Sequence, residues 1–257
     1  METVRRTTPE RGRETVQERL GDEGDCPYLE GERARMCYRW IEHCTPETYL
    51  DMLERGWRRF GRVFFRPVCA ACRECRSLRI DVEQFKPSRS MRRAEKRNGD
   101  LDVAVGRPTV SDQHLELYHR YHDDMSARKG WREADIAPYD YYRTFVEGHE
   151  GFGYEFLYFL GGQLAAVALI DVLPRAVSAV YCYYDPDLRP RSLGVYSVLR
   201  QVDFARMLGV PYLYLGYRVE GNASMAYKAR YRPHEILAGR PGAEETPLWQ
   251  PGGKSAR

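Results

Sequence analysis

The sequence lacks any apolar run long enough to cross a membrane. Its longest, Leu164–Ile170, is seven residues and stops at Asp171, against the roughly 20 that a spanning helix needs, so no membrane partner is expected. An export signal is missing too. Residues 1–24 carry Arg5, Arg6, Glu10, Arg11, Arg13 and Glu14 with no apolar centre, and they hold too many acids for a transit peptide. They read as a disordered, solvated tail, and a cytoplasmic location is the expectation. Net charge is nearly absent at +3, which gives no support to a partner that needs a uniformly basic protein. There is no internal repeat. An even set of cysteines is also wanting: the chain has seven, and an odd number without an export signal favours reduced thiols and metal ligation over a disulfide framework.

What is present is a globular composition, 43% apolar and 30% charged over 257 residues. That suits one large or two modest domains and excludes a disordered chain. The charge is unevenly placed. Arg55–Arg97 holds 14 basic and 4 acidic residues, a local +10, whereas residues 1–54 sum to −5 and 98–257 to −2.

Local patterns predict a mixed fold in two parts. TPETYLDMLERGW from Thr45 offers an N-cap, a proline at the first helical position and apolar residues at helical spacing. Val63–Phe65 and Leu78–Val82 are β-prone on either side of a cysteine loop, and the basic segment after Ser90 has good helix formers. These define a small N-terminal domain, residues 25–100. The turn at Gly99–Asp100 leads to a second part, residues 101–240. There Ser111 caps a helix reaching about Arg128, and a second helix is predicted over Asp140–Glu147. The Gly161–Gly162 pair between Glu155–Leu160 and Leu164–Val172 is the strongest hairpin signal in the chain. Ala176–Tyr184 extends it into a meander, Val195–Ala205 recurs at helical spacing, Gly209 ends that helix, and Tyr212–Tyr217 is a buried-type strand. The fold class is therefore α+β, in α/β layers. Residues 241–257, rich in Gly and Pro, read as a disordered tail.

Three constellations can carry chemistry. Cys69, Cys72 and Cys75 form a C-x2-C-x2-C run with Cys26 far upstream, a donor set for either a zinc ion or an iron–sulfur cluster; the alternative is that these thiols are small buried apolar groups. Cys37, Cys44 and Cys182 read as packing thiols. Arg58, Arg59, Arg89, Arg92, Arg93, Lys96 and Arg97 interleave with Trp57, Phe60, Phe64 and Phe65, which points to RNA phosphates and unpaired bases unless the segment is a solvated helix face. In the second part, Tyr183, Asp185, Tyr217 and Lys228 lie where strands end, and such positions hold ligands in α/β layers. Arg191 and Ser192 open a helix, where free backbone N–H groups favour phosphate.

CPYL at Cys26–Leu29, GWRRFGRVFFRPVCAACRECRSLRI at Gly56–Ile80, FKPSRSMRRAEKRN at Phe85–Asn98, YYDPDLRPRSLGVYSVLRQ at Tyr183–Gln201 and YLYLGYRVEGNASMAYKARYRP at Tyr212–Pro233 carry a resemblance. Over residues 25 to 235 the chain resembles the aminoacyl-tRNA–protein transferases of the N-degron pathway, the bacterial leucyltransferases more than the eukaryotic arginyltransferases, which have a second cysteine where Leu29 stands. The resemblance implies an acetyltransferase-like C-terminal domain. It also implies transfer of leucine from leucyl-tRNA to the α-amine of proteins beginning with Asp or Glu, with arginyl-tRNA the alternative donor. No cofactor is required for such a transfer, since the ester is already activated; an iron–sulfur cluster at the cysteines is attributed to some eukaryotic relatives. On this reading Tyr183, Asp185, Tyr217 and Lys228 stand near the reacting centre, and Arg191, Arg218, Arg230 or Lys228 pairs with the acidic side chain of the acceptor. The rival classes are an acyl-CoA-dependent acetyltransferase and a non-catalytic RNA-binding or redox-sensing protein.

Overall fold

The computed structural model describes residues 16–132, 134–148 and 151–253. In chain order its first half runs β1 (Val16–Leu20), β2 (Gly24–Asp25), β3 (Arg33–Ala34), β4 (Met36–Ile41), α1 (Pro46–Glu54), β5 (Arg58–Phe60), β6 (Val63–Pro67), β7 (Arg76–Asp81) and α2 (Arg89–Arg97). The second half runs β8 (Asp102–Gly106), α3 (Asp112–Lys129), α4 (Pro138–Tyr141), β9 (Gly153–Leu160), β10 (Gln163–Leu173), β11 (Ala176–Tyr184), α5 (Leu193–Met207), β12 (Tyr212–Arg218), α6 (Ala223–Ala226), β13 (His234–Leu237) and β14 (Trp249–Pro251).

The elements form where the local chemistry places them. Thr45 accepts a hydrogen bond from the Thr48 amide at 3.1 Å, starting α1, which buries Tyr49, Leu50, Met52 and Leu53. Ser111 caps α3 and Gly130, at φ 64°, ends it. Gly161 and Gly162 take φ values of 56° and 81° in the β9–β10 turn, a conformation that only glycine adopts freely. The predicted second helix is present but not α throughout: α4 passes at Tyr142 into a single wide turn, Tyr142–Val146, with i→i+5 hydrogen bonding.

Two sheets result. A four-stranded sheet has the order β1-β4-β6-β5, and an eight-stranded sheet has the order β14-β13-β7-β12-β11-β10-β9-β8. The meander β8 to β11 is antiparallel, and α5 crosses over to lay β12 parallel to β11. One apolar core lies between the large sheet and α5, a second between the sheet and α3, and a third joins α1 to the small sheet.

Three expectations need correction. β7 does not stay in the N-terminal part: it pairs with both β12 and β13 in the large sheet. The sequence hides this, because Ser77 and Arg79 alternate with Leu78 and Ile80 as in a half-exposed strand, yet all four are buried, as a strand covered on both faces must be. The two sequence-defined parts therefore share one sheet. Of the expected N-terminal tail, residues 1–15 lie outside the described residues, but β1 pairs with β4 from Val16↔Ile41 to Leu20↔Cys37. Of the expected C-terminal tail, residues 254–257 lie outside, but β14 pairs with β13, and Arg55 donates to the Gly242 carbonyl at 2.7 Å. Trp249 anchors this segment by packing edge-on to Tyr214 and under Arg79. No helix among the described residues is long and apolar enough to cross a membrane.

Candidate functional site

The parallel pair β11–β12 is short. Hydrogen-bonded register extends only from Ala176↔Tyr212 to Ser178↔Tyr214, although β11 continues to Tyr184 and β12 to Arg218. Both strands bulge where they part, β11 against β10 at Val180 and β12 against β7 at Leu215. An added residue bends a strand and sharpens its twist, so the two diverge and leave a gap in the sheet. Backbone groups facing that gap need other partners.

Arg58, from β5, supplies them. Its guanidinium donates to Ser178 Oγ at 3.0 Å and to the Ala179 carbonyl, and it packs 3.5 Å from where a Cβ on Gly216 would stand. Gly216 has φ 78°, so any other residue there would strain the backbone as well as crowd the guanidinium. Lys228 approaches from the turn after α6, its Nζ donating to the Tyr217 carbonyl at 2.7 Å. Burial, then the neighbouring Arg58 charge, lowers its ammonium to about 7. The Tyr217 hydroxyl donates to the Gly56 carbonyl at 2.8 Å, and burial raises its phenol above the ordinary range. The gap thus holds a permanent cation, an amine poised near neutrality, and a locked tyrosine.

Beside it lies a pocket of about 390 Å³. Strand alternation builds its floor. On β4 and β6 the register pairs Met36↔Pro67 and Tyr38↔Phe65 on the pocket side, and places Cys37, Ile41 and Phe64 on the opposite side in the core with α1. Tyr28 and Leu29 close the pocket from the loop between β2 and β3, and Phe60 and Tyr217 connect it to the gap. The four cysteines Cys26, Cys69, Cys72 and Cys75 all line this same pocket. Burial and the other three thiols push the Cys75 thiol up to about 12. A metal ligand must be a thiolate, and among the described residues no three His, Cys, Asp or Glu side chains are grouped to hold an ion. No step below passes through a metal.

The remaining sequence-predicted residues fall elsewhere. Tyr183 is fully buried against α3, its hydroxyl 2.6 Å from that of Tyr141, and burial holds it far above its usual value. Period-2 alternation along β11 puts it on the α3 face rather than in the gap. Asp185 is clamped by Arg120 at 2.8 Å and accepts from the Asp187 amide at 2.9 Å. Arg191 pairs bidentately with Asp100 at 2.7 and 2.9 Å. Ser192 stands at the start of α5 with φ 61° and makes no side-chain cap; its Oγ lies 3.4 Å from Arg97 Nη2. Arg218 pairs with Glu220 at 3.1 Å, and Arg230 is exposed.

The basic segment divides into two. Arg89, Arg92, Arg93, Lys96 and Arg97 are all exposed on α2, where phosphates can reach them. Arg58 and Arg59 are not available to RNA. Arg58 fills the gap, and Arg59 is buried with no side-chain exposure, donating to Asp171 Oδ2 at 3.1 Å and to the Gly61 carbonyl at 3.0 Å. Sequence reasoning missed the pocket wall. MCYRWI and VFFRP are too uniformly apolar to show which face is which; only the strand register separates Met36, Tyr38, Val63 and Phe65 from the core set.

An antiparallel meander, a crossover helix and a parallel strand that splays from its neighbour make an acetyltransferase-like layer, the layout of an acyl-group transferase, and α2, packed on α5, presents exposed basic side chains beside it. The chain belongs to the arginine-tRNA–protein transferase family, whose N-terminal model matches residues 24–93 and whose C-terminal model matches residues 113–238. It is 42% identical over 229 residues to the aspartate/glutamate leucyltransferase of Campylobacter jejuni, covering 89% of this chain and 96% of that one. It is 40% identical to the leucyltransferases of Helicobacter hepaticus, over 88% and 93% of the two chains, and Halorhodospira halophila, over 84% and 92%. Among solved structures, the crystal structure of FemX aligns over 80% of both chains with TM-score 0.44 and 10% identity, which adds nothing to the assignment.

Proposed function

We propose that the chain transfers leucine from leucyl-tRNA to the N-terminal α-amine of proteins that begin with Asp or Glu. The observation that carries this reading is the match, across both the cysteine-bearing part and the layer with the splayed strands, to relatives named for that activity.

The chemistry asked of the protein is modest. The ester is already activated, so the site must align amine and carbonyl, accept one proton and stabilise a tetrahedral oxyanion. An α-amine has an ordinary pKa of about 7.7–8.0. A base near 7 is matched to such a proton, and Lys228 is the buried group that has that value. Arg58 is held by Ser178 and Ala179 and supplies a fixed positive charge at the gap. Tyr217 holds Lys228 in place through its carbonyl. Arg230, exposed on that turn, is the cation on offer to the acidic side chain of the acceptor, and Arg218 becomes one only on leaving Glu220.

Incubation of the purified protein with labelled leucyl-tRNA and peptides starting with Asp, Glu or Ala tests the proposal. Label should enter the Asp and Glu peptides and not the Ala peptide. No incorporation into any of them, with the donor intact, overturns it.

The carrier is proposed to lie along α2. Replacing Arg93 and Lys96 together with alanine should flatten the plot of log affinity for tRNA against log salt by about 1.5, at roughly 0.7–0.9 for each phosphate no longer neutralised. Both side chains are exposed, so the melting temperature should hold. An unchanged slope would move the carrier off this helix.

A further inference from the structure

Resting on that reading, we propose that the 390 Å³ pocket receives the aliphatic side chain of the aminoacyl group carried by the tRNA, and that its wall sets the choice of leucine over arginine. Three observations converge.

Position comes first. Phe60 and Tyr217 line the pocket, and both also border the gap: Phe60 stands two residues after Arg58 on the same face of β5, and the Tyr217 carbonyl holds Lys228. A carbonyl placed at the gap would therefore direct its α-substituent into the pocket. Size is the second. The volume falls within the range of small-ligand sites and exceeds what an isobutyl group fills, so the terminal sugar of the carrier shares the opening. That opening is flanked by Tyr28 and Tyr38, whose rings are more than one-third exposed, and such side chains offer an apolar face with a polar rim.

The third observation is charge. Among the described residues the wall contains two cations, Arg33 and Arg240, and no carboxylate. Arg240 is fixed there, donating to the Cys69 carbonyl at 2.8 Å and the Cys72 carbonyl at 2.7 Å. Arg33 pairs with Asp25 at 2.5 Å, on the solvent side, where the Asp25 side chain is almost fully exposed. A guanidinium brought into this pocket would lose water, meet no counter-charge and face two like charges, each an unfavourable change. A leucyl group brings no charge to be left unpaired, and most of the wall it meets is apolar carbon and sulfur. Discrimination by an apolar pocket alone is modest, but discrimination against an unpaired charge is large.

Full-length protein and three variants, Leu29→Glu, Tyr38→Glu and Val63→Trp, would be assayed with leucyl-tRNA, arginyl-tRNA and alanyl-tRNA against one Asp-initiated peptide. Either glutamate should raise the ratio of arginyl to leucyl kcat/KM at least about tenfold. Val63→Trp should reduce leucyl transfer about tenfold and alanyl transfer much less, because only the longer side chain meets the added ring. Tyr38 stands at an exposed position, so Tyr38→Glu carries the test should either other variant fail to fold. Folded variants that keep the wild-type donor ratios overturn the pocket assignment while leaving the transferase reading intact. Wild-type protein that uses none of the three donors overturns the transferase reading instead.

Discussion

Replacing Arg59 with leucine is expected to lower folding stability by about 3–5 kcal/mol, the usual penalty for leaving one member of a buried ion pair alone. Arg59 and Asp171 have no exposed side-chain surface. Burial pushes the Asp171 carboxyl above its ordinary value, and Arg59 is the larger of the two guanidiniums that oppose this. Removing Arg59 leaves a desolvated carboxylate without its main partner and empties the space over the Phe152 ring, where the guanidinium now sits at 4.8 Å. The pair also ties the small sheet to the large one, since Arg59 belongs to β5 and Asp171 to β10. The double variant Arg59→Met/Asp171→Leu should recover part of the loss, because matched apolar groups remove the uncompensated charge. Denaturant midpoints at constant slope measure both effects. A loss below about 1 kcal/mol, far under the buried-pair penalty, together with a shallower salt dependence of tRNA binding would restore Arg59 to the carrier surface and defeat its structural role.

That contrast shows where sequence reading reaches its limit. Arg58 and Arg59 lie in the same +10 segment as the α2 residues, and local charge cannot tell a solvated cation from one whose partner is 112 residues away. Segments whose structure is decided locally were legible: the Thr45 and Ser111 caps, the Gly161–Gly162 turn and the meander each follow from a few adjacent residues. Placement of β7 was less so, because its partners β12 and β13 lie far downstream and the alternation of Ser77 and Arg79 with Leu78 and Ile80 resembles a strand with one exposed face. The site divides in the same way. Three cysteines on one loop could be read from spacing, and Tyr217 and Lys228 from strand ends. Tyr183 and Asp185 share that signature but face α3 and Arg120 instead, since which face a strand-end residue occupies depends on register. The bulges at Val180 and Leu215 that open the gap have no local marker beyond Gly216.

The second large effect concerns Lys228, where function and stability should oppose each other. Its ammonium is lowered from 10.5 to about 7 by burial and by Arg58. An unfolded lysine keeps its proton up to about 10.4, so between about pH 7 and pH 10 the unfolded chain binds more protons at this position than the folded one, and stability rises with pH across that window. Below about pH 7 both states are protonated and the full penalty of the buried charge remains. Lys228→Met removes the ionisable group while keeping much of the volume. The variant should therefore be more stable than the wild type at about pH 7, and its advantage should shrink by about 2 kcal/mol by about pH 9, at roughly 1.4 kcal/mol per pH unit once the folded lysine is neutral. Leucyl transfer should fall about 10²–10⁴-fold, the usual contribution of a positioned base, and the rise of wild-type kcat/KM near pH 7 should vanish from the residual activity. Paired denaturation curves at those two pH values and a pH–rate profile check these outcomes independently. A variant that loses stability near neutral pH, or that keeps the wild-type pH profile, would show that Lys228 is charged in the fold and does not accept the amine proton.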